Sequence, residues 1–454
     1  MTRPSTLPIR LDRRAPATLG VQLADQVRSL ITAGTLVVGD RLPSSRGLAA
    51  DLGVSRAVTE QAFDQLLAEG WLEARRGSGT YVAASGHVAT QPRPRPAAPP
   101  AQAAFRFDTG TPWIDPRQVI GWRRAWREVA ADRPPAGYPD ARGLVELRES
   151  LCQHLARTRG LVCTPEEIVL TNGTTDGLRH LLGLLPAGAI AMEDPGYRAA
   201  AEVVLDSGRR LVDLPVDHRG LSLDSLTGAV AGIYVTPAHQ HPLGITMAAG
   251  TRLSLLGRAT SLGATVIEDD YDSEFRYDVA PLPALATLDR DRVIYLGTAS
   301  KSVAPGLRLG WLVGPAAVVD AITTRRTRSH DQTPWPTQRA FLAMLREGYV
   351  DRVVRSARRV YAHRSGLVVE RLGGLGTVAP SPAGMYLTLQ LPRDRAEAAA
   401  AAARAAGFDV PLLADYARTA ERHGLVLGFG GCTAAQLDAV LTVLERALAT
   451  PATS

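Results

Sequence analysis

The chain contains very little lysine and cysteine. Among its 454 residues are 51 lysines and arginines, yet Lys301 is the only lysine. The three cysteines, Cys152, Cys163 and Cys432, are too few and too scattered to predict a disulfide framework or a zinc site. No apolar run approaches the roughly 18 residues that a membrane-spanning helix requires. No signal peptide opens the chain, so we expect a cytoplasmic protein without a membrane partner.

The composition is that of a globular protein with more than one domain. Hydrophobic residues make up 45% and charged residues 21%, enough for a sizeable core, and the length predicts two or three domains. The net charge is +6, and much of the excess lies in residues 3–95. This basic segment permits a nucleic-acid partner without requiring one.

Residues 18–84 have the pattern of a small DNA-binding domain. Apolar residues recur at helical spacing from Leu19, a second helix is expected after Ser44, and a third follows Ser55. Residues 70–82 then predict a hairpin with a basic, glycine-rich tip. Short helices joined by a tight turn and followed by a hairpin are typical of a winged helix-turn-helix. The alternative is a small helical bundle with a solvated arginine face.

Residues 85–104 are rich in proline and lack periodicity, which predicts a semi-extended linker. From Phe105 onward, apolar strands alternate with helical segments, as in an α/β domain with a mostly parallel sheet.

The stretch 293–311 carries the strongest chemical signal. An apolar run, predicted to be a buried strand, is followed by Thr298, Ser300, Lys301 and Arg308. A lysine amine can lose its proton near neutral pH and attack a carbonyl, which guanidinium cannot do. The hydroxyls and the forked cation suit a phosphate. A Schiff-base lysine beside a phosphate site indicates pyridoxal 5'-phosphate (PLP); the alternative is an unremarkable surface lysine.

Residues 297–311, G-T-A-S-K-S-V-A-P-G-L-R-L-G-W, resemble the lysine motif of fold-type-I, aspartate-aminotransferase-like PLP proteins, and most of all the MocR/GabR subfamily of GntR regulators. The segments L-P-S-S-R, L-G-V-S-R and R-R-G-S-G-T-Y-V, in residues 42–82, are similar to a GntR-type winged helix. The resemblance implies a multidomain chain: a winged helix (1–84), a linker (85–104) and an α/β aminotransferase-like domain (105–454). That domain would divide into a large part (105–347) and a small part (348–454), and the protein would be a homodimer.

The resemblance also implies which residues bind operator DNA. Arg46 and Arg56 would contact the duplex, and Ser55 and Thr59 would hold phosphates or base edges. Arg56, Thr59 and Glu60 are expected to face outward from the third helix. The last predicted DNA contacts, in the minor groove, are Arg76 and Gly77. Many GntR proteins have an arginine where this chain has Glu60, which cannot bind phosphate.

A second side of the phosphate site is predicted at Gly173-Thr174-Thr175, which joins the strand 168–171 to a helix expected over 176–185. A helix N-terminus offers free N–H groups and a positive dipole end to an anion. By resemblance, Tyr197 would stack on the pyridine ring; a buried turn tyrosine is the alternative.

Residues 266–277 form an acidic centre after a strand. By resemblance, Asp269 would face the pyridine nitrogen and Tyr271 would bond the ring O3′. Asp270 is the alternative to Asp269, because adjacent strand residues face opposite ways. A metal site lacks support from any neighbouring histidine cluster.

Two further positions follow from the resemblance. His241 stands where aminotransferases of this fold usually have the asparagine that bonds O3′, a departure that counts against ordinary transamination. Tyr138 would reach the phosphate of the neighbouring subunit.

Together these patterns predict a PLP-dependent transcriptional regulator and not an enzyme, although PLP half-reactions remain open. The effector would be PLP itself or an amino compound. The alternatives are a true aminotransferase with a DNA-binding appendage and a DNA-binding protein whose PLP fold only dimerises.

Overall fold

The computed structural model describes residues 7–75, 77–83, 105–217, 220–378 and 383–449. The chain divides into two compact units, residues 1–100 and 101–454. No helix among the described residues is long and apolar enough to cross a membrane.

The first unit, where it is described, has three helices followed by a hairpin: α1 (Leu19–Thr32), α2 (Ser45–Leu52), α3 (Arg56–Ala68), β1 (Leu72–Arg75) and β2 (Gly79–Val82). α2 begins after Ser44, whose side chain accepts a hydrogen bond from the backbone N–H of Gly47. It ends at Gly53, which takes a left-handed φ of 63°. Strands β1 and β2 pair antiparallel. This is the winged helix-turn-helix that the sequence predicts.

The second unit is built on a sheet with eight described strands. Its members are β4 (Ile168–Thr171), β5 (Ala189–Asp194), β6 (Leu211–Asp217), β7 (Gly220–Leu221), β8 (Val230–Val235), β9 (Thr265–Asp270), β10 (Val293–Thr298) and β11 (Gly310–Val313). The spatial order is β4-β11-β10-β9-β8-β5-β6-β7. The central strands from β10 to β6 pair in parallel, whereas β11 is antiparallel to both its neighbours.

Helices cover both faces of this sheet: α4 (Val119–Ala131), α5 (Val145–Arg159), α6 (Thr174–Leu182), α7 (Arg198–Asp206), α8 (Ala249–Leu262), α9 (Ala316–Ser329) and α10 (Trp335–Arg346). Alternate residues of each strand enter different apolar clusters. On β9, for example, Val266 packs with one cluster and Ile267 with the other. Burial on both faces explains why the strands read as continuous apolar runs.

The smaller part of the second unit follows α11 (Tyr349–Leu372). It contains β12 (Thr377–Val378), β13 (Tyr386–Gln390), α12 (Arg393–Ala405), β14 (Phe408–Asp409), β15 (Gly424–Gly428) and α13 (Ala434–Ala449). Strands β12, β13 and β15 form one sheet. β14 pairs in parallel with β3 (Phe105–Arg106), so the first described residues of this unit lie against its C-terminal part.

Two expectations from the sequence are corrected. The helix predicted over 176–185 covers Thr174–Leu182 instead. It begins earlier because Asp176 lies inside its first turn, where the carboxylate accepts a hydrogen bond from the N–H of Asn172 at 2.8 Å. The cysteines are also less scattered than expected, since the sulfur atoms of Cys152 and Cys163 lie 3.8 Å apart.

Candidate cofactor and DNA sites

A cavity of about 180 Å³ opens beside the C-terminal ends of β4, β9 and β10. Its lining brings together all the predicted cofactor residues except Tyr138: Gly173, Thr174, Thr175, Tyr197, His241, Asp269, Tyr271, Thr298, Ser300, Lys301 and Arg308. Thr109, Gly110 and Pro305 also line the cavity. The C-terminal edge of an open α/β sheet is where such folds usually bind ligands.

One end of the cavity suits a phosphate. Gly173 precedes the first turn of α6 with a φ of 99°, a conformation that favours glycine. A Cβ added to Gly173 would lie 3.3 Å from Nη2 of Arg308, so a side chain here would crowd the guanidinium. Thr298 Oγ1 donates to Ser300 Oγ at 3.0 Å. A helix N-terminus, hydroxyl groups and a guanidinium therefore converge here, and Asp269 is the one carboxylate among the described residues that line the cavity.

Lys301 lies in the same cavity with its side chain largely removed from water. Its Nζ donates a hydrogen bond to the carbonyl of Gly110 at 2.8 Å. Burial lowers the pKa of Lys301 below its ordinary value, and the nearby Asp108 opposes that shift only in part. The amine is therefore easier to deprotonate than an exposed lysine, which a nucleophilic role requires.

Asp269 supplies a buried carboxylate to the lining of the cavity. Its Oδ2 accepts a hydrogen bond from the phenol of Tyr234, and its buried Oδ1 has no partner among the described residues. Burial raises the pKa of Asp269 to about 7. An unpaired oxygen of this kind fits the protonated nitrogen of a pyridine ring.

Asp270 faces away from this cavity, as expected for the next residue on a strand. Its Oδ2 accepts hydrogen bonds from Arg159 Nε at 2.6 Å and from Tyr295 at 2.8 Å. Of the two carboxylates that the sequence left as alternatives, only Asp269 lines the cavity.

Aromatic rings surround the middle of the cavity. His241 is buried, and its ring lies 5.6 Å from Tyr197 and 5.8 Å from Tyr271, measured between centroids. Burial lowers the pKa of His241 to about 3, so the imidazole is neutral at pH 7. The hydroxyl of Tyr271 donates to the carbonyl of His239 at 2.9 Å and lies 2.7 Å from the hydroxyl of Tyr386.

Sequence reasoning missed three contributors to this site. Thr109 and Gly110 line the cavity, although Gly110 precedes its partner Lys301 by 191 positions. Tyr234 lies on β8 within an apolar run. Strand pairing places Tyr234 opposite Ile267, two positions before Asp269 on β9, and its phenol reaches Asp269 across the two strands. The sequence carries no local signal for this contact.

Tyr138 does not line the cavity of its own chain. It is 75% exposed, and its ring stacks on His330 with centroids 4.5 Å apart. The predicted contact with a neighbouring subunit stays a prediction.

In the first unit, Arg46, Ser55, Arg56 and Gly77 are exposed, and Arg76 lies outside the described residues. Both Nε and Nη2 of Arg56 lie 2.6 Å from Glu60 Oε1.

The expectation that Thr59 faces outward is wrong. Its side chain is fully buried, and its hydroxyl donates to the carbonyls of Ser45 at 2.9 Å and Arg56 at 2.8 Å. Thr59 therefore links α3 to α2 and has no hydroxyl proton free for DNA. Across the described ranges, no group of three or more His, Cys, Asp or Glu side chains is placed to hold a metal ion.

A winged helix-turn-helix joined to an aminotransferase-like domain defines a class of bacterial transcriptional regulator. Residues 19–82 match the family "Bacterial regulatory proteins, gntR family", and residues 105–434 match "Aminotransferase class I and II". The chain belongs to the MocR/GabR subfamily of GntR regulators, and its second unit has the fold-type-I aminotransferase fold.

Relatives in two bacteria match the chain over nearly its whole length. The chain is 35% identical to the HTH-type pyridoxine biosynthesis transcriptional regulator PdxR of Corynebacterium glutamicum, over 97% of this chain and 98% of that one. It is 34% identical to the probable rhizopine catabolism regulatory protein MocR of Rhizobium meliloti, over 93% of this chain and 92% of that one.

Among solved structures, an archaeal alanine:glyoxylate aminotransferase superposes with a TM-score of 0.69 at 24% identity, over 76% of this chain and 90% of that one. The α-aminoadipate aminotransferase LysN of Thermus thermophilus superposes with a TM-score of 0.68 at 23% identity, over 76% of this chain and 92% of that one. At these identities the likeness shows the fold alone.

Proposed function

We propose that the second unit binds PLP through Lys301 and that the protein regulates transcription in response to PLP. The observation that carries the proposal is that one cavity brings together the only lysine of the chain, the phosphate-binding groups around Arg308, and Asp269, whose Oδ1 has no hydrogen-bond partner among the described residues. PLP supplies an aldehyde that condenses with an amine and a ring that withdraws electrons.

Each end of the cavity has a role in holding the cofactor. Arg308, Ser300 and the N–H groups at the start of α6 bind the phosphate, with Thr298 orienting Ser300. Asp269 holds a proton at the ring nitrogen, and Tyr197 packs against the ring. His241, which is neutral, and Tyr271 are the candidates for hydrogen bonds to O3′.

The cations of the cavity favour PLP as the effector over an amino acid. Lys301 and Arg308 are the only lysine and arginine among the described lining residues, and both are used by the cofactor. A substrate carboxylate would have no guanidinium to hold it. Without such a clamp the Cα–H bond need not stand perpendicular to the ring, and orientation is worth several kcal/mol of barrier. We therefore expect little turnover.

The relative named as a regulator of pyridoxine biosynthesis supports the same choice. An amino compound that exchanges with Lys301 at the cofactor is the second candidate effector, because the cavity lining is not limited to phosphate-binding groups.

Spectroscopy tests the cofactor assignment. PLP added to the purified protein should produce a visible absorbance band, and borohydride reduction should fix a pyridoxyl group on Lys301, detected by mass spectrometry. Lys301→Ala should lack both signals. Lys301→Arg keeps the charge without the nucleophile and serves as the matched control. A wild-type band in either variant would refute the assignment.

DNA binding tests the regulatory assignment. Operator affinity should differ between PLP-free and PLP-bound protein, while pyridoxal, which lacks the phosphate, should have little effect. A ligand shifts the equilibrium only if it binds one DNA-competent arrangement better than another. An operator affinity that does not change with PLP, together with keto-acid release above about 1 s⁻¹, would instead favour an aminotransferase.

The helix-turn-helix is the proposed docking surface for DNA, through Arg46, Ser55 and Arg56, with Gly77 and Arg76 of the wing in the minor groove. If Arg56 contacts a base edge, Arg56→Ala should weaken the free energy of operator binding by about 1–3 kcal/mol. If it contacts only phosphate, all sequences should weaken alike and the salt slope should fall by about one. Unchanged affinity in Arg46→Ala/Arg56→Ala would exclude this surface.

We further infer a homodimer in which the exposed Tyr138 reaches the cofactor phosphate of the partner subunit. Tyr138→Phe should weaken PLP binding without changing the dimer, measured by absorbance titration and sedimentation. Full PLP affinity in this variant would contradict the shared site.

A further inference from the structure

A second cavity, of about 270 Å³, lies between α5 and α11. It shares no lining residue with the cofactor cavity. The two are linked through β9: Asp269 lines the cofactor cavity, whereas Asp270 pairs with Arg159, which lines the second one. The second cavity is thus a separate site on the other side of that strand.

Positive charge exceeds negative charge in this lining. Arginines contribute four cations, and carboxylates contribute only Glu274 and Asp351. Arg157 pairs with Asp351 at 3.1 Å, and Arg159 lies 3.6 Å from Glu274. These contacts account for two of the four guanidinium groups.

The other two guanidinium groups belong to Arg355 and Arg358, three positions apart on α11 and therefore neighbours on its surface. Neither forms an ion pair with a described residue. Arg358 Nε donates only to the backbone carbonyl of Glu274, at 2.5 Å. Burial lowers the pKa of Arg358, the charge of Glu274 opposes that shift, and the charge of Arg159 adds to it. The cavity thus holds guanidinium charge that no described carboxylate neutralises directly.

A buried histidine adds an unused polar atom. His154 lines the cavity and is 6% exposed. Its Nε2 lies 3.6 Å from Glu274 Oε1, whereas Nδ1 is buried and has no hydrogen-bond partner among the described residues. Buried polar atoms without partners are rare in proteins, and a bound ligand is one explanation for them.

We propose that this cavity binds a small dianion, held by Arg355 and Arg358 and bordered by His154. Carboxylate and phosphate oxygens both match the fork of donors on a guanidinium group. The ligand is therefore a compact phosphate or a dicarboxylate, and its site does not depend on PLP at Lys301.

Calorimetric titration of the full-length protein tests this site. Inorganic phosphate and succinate are titrated separately, at constant ionic strength, into protein saturated with PLP and into PLP-free protein. Filling the cofactor site removes its phosphate-binding end as a competitor. One of the two anions should bind with one site per chain in the PLP-saturated protein, and the stronger of the two identifies the ligand class.

Variants on α11 locate the binding. Arg355→Gln/Arg358→Gln should weaken binding about tenfold or more, because charge-assisted hydrogen bonds are lost. Arg359→Gln is the matched control, since Arg359 is exposed on the same helix but does not line the cavity. Far-ultraviolet circular dichroism and the PLP absorbance band verify that each variant is folded.

Three outcomes would overturn the proposal: no binding of either anion by the PLP-saturated wild type, wild-type binding by Arg355→Gln/Arg358→Gln, or an equal loss in Arg359→Gln, which would indicate a general charge effect. Binding that disappears only when PLP is added would assign the anion to the cofactor site, and would also exclude this one.

Discussion

Tyr234 donates a hydrogen bond from its phenol to Oδ2 of Asp269, and the two buried side chains lie on the adjacent strands β8 and β9. The bond orients the carboxylate, while the other oxygen, Oδ1, has no hydrogen-bond partner in the described part of the chain. It also favours the ionised form of Asp269, against the burial that raises the pKa of this group to about 7. Tyr234 is therefore a positioning residue for the cofactor site.

Replacing Tyr234 with phenylalanine should raise the pKa of Asp269 further, because the bond to the charged form is lost. PLP affinity should fall about tenfold, as expected for a hydrogen bond to a charged group, and the loss should be largest at and below pH 7, where the raised pKa leaves Asp269 protonated. Absorbance titration from pH 6 to 9 measures it. Tyr295→Phe, which loses a bond to Asp270 instead, is the control. Equal losses in both variants would mean that the effect is structural.

The stability of the PLP-free protein should depend on pH through Glu193, Glu268 and Asp269. Burial raises the pKa of each to about 7, whereas these groups titrate near pH 4 in an unfolded chain. The folded protein therefore holds more protons between about pH 4 and 7. In that window the free energy of unfolding should fall as pH rises, by up to about 1.4 kcal/mol per pH unit for each group.

Urea denaturation at pH 5 and pH 8 tests this dependence. Glu268→Gln removes one titrating group and should flatten the decrease, whereas the exposed Glu149→Gln should leave it unchanged. A stability that rises between pH 5 and 8, in wild type and Glu268→Gln alike, would contradict the assignment.

Glu60 should weaken DNA binding by holding Arg56 in an ion pair. Glu60→Gln frees that guanidinium and removes a charge that repels phosphate, so affinity should rise about twofold to fivefold for all sequences, in line with the strength of surface ion pairs. Fluorescence anisotropy with operator and with unrelated DNA measures both affinities. Glu69→Gln removes one of the two carboxylates that pair with Arg28, near the other end of α3. It controls for net charge and should change neither affinity.

Cys152 and Cys163 should form a disulfide under mild oxidation. The thiol of Cys163 donates to the sulfur of Cys152, which lowers the pKa of the Cys152 thiol and makes it the attacking thiolate. It displaces one thiol from oxidised glutathione, and Cys163 then displaces the second, so two glutathione thiols leave as one protein disulfide forms.

Alkylation followed by peptide mass spectrometry should find this link, with the buried Cys432 still free. In Cys163→Ser the reaction should stop at a mixed disulfide on Cys152. A mixed disulfide that persists in the wild type would show that the two sulfurs cannot approach to bonding distance.

Three of the cofactor residues that the sequence indicated carry a local signal of their own. Gly173 opens a helix after a strand, Arg308 follows a Pro-Gly turn, and Lys301 is conspicuous because the chain has no other lysine. Gly110 carries no such signal, because it lies 191 positions before Lys301 and its carbonyl meets the amine only in the folded chain. Contacts of this kind depend on the paths of whole segments, which local patterns do not specify.

Thr59 shows a different failure. Helical spacing places it three and four positions before Ala62 and Phe63, on the same buried face. Its polarity suggested an outward role, but a hydroxyl that can donate to nearby backbone carbonyls is readily buried in a helix. The spacing was informative, and the residue type was misleading.

Because Lys301 is the only lysine, cleavage of the chain at that residue can measure the fraction of molecules that carry the cofactor. A protease that cleaves after lysine can cut the denatured polypeptide at one place, leaving fragments of residues 1–301 and 302–454. A pyridoxyl group fixed on that side chain by reduction would block the cut. The ratio of intact chain to fragments on a gel would then count the molecules that had carried PLP, with no other ε-amine to confuse the count.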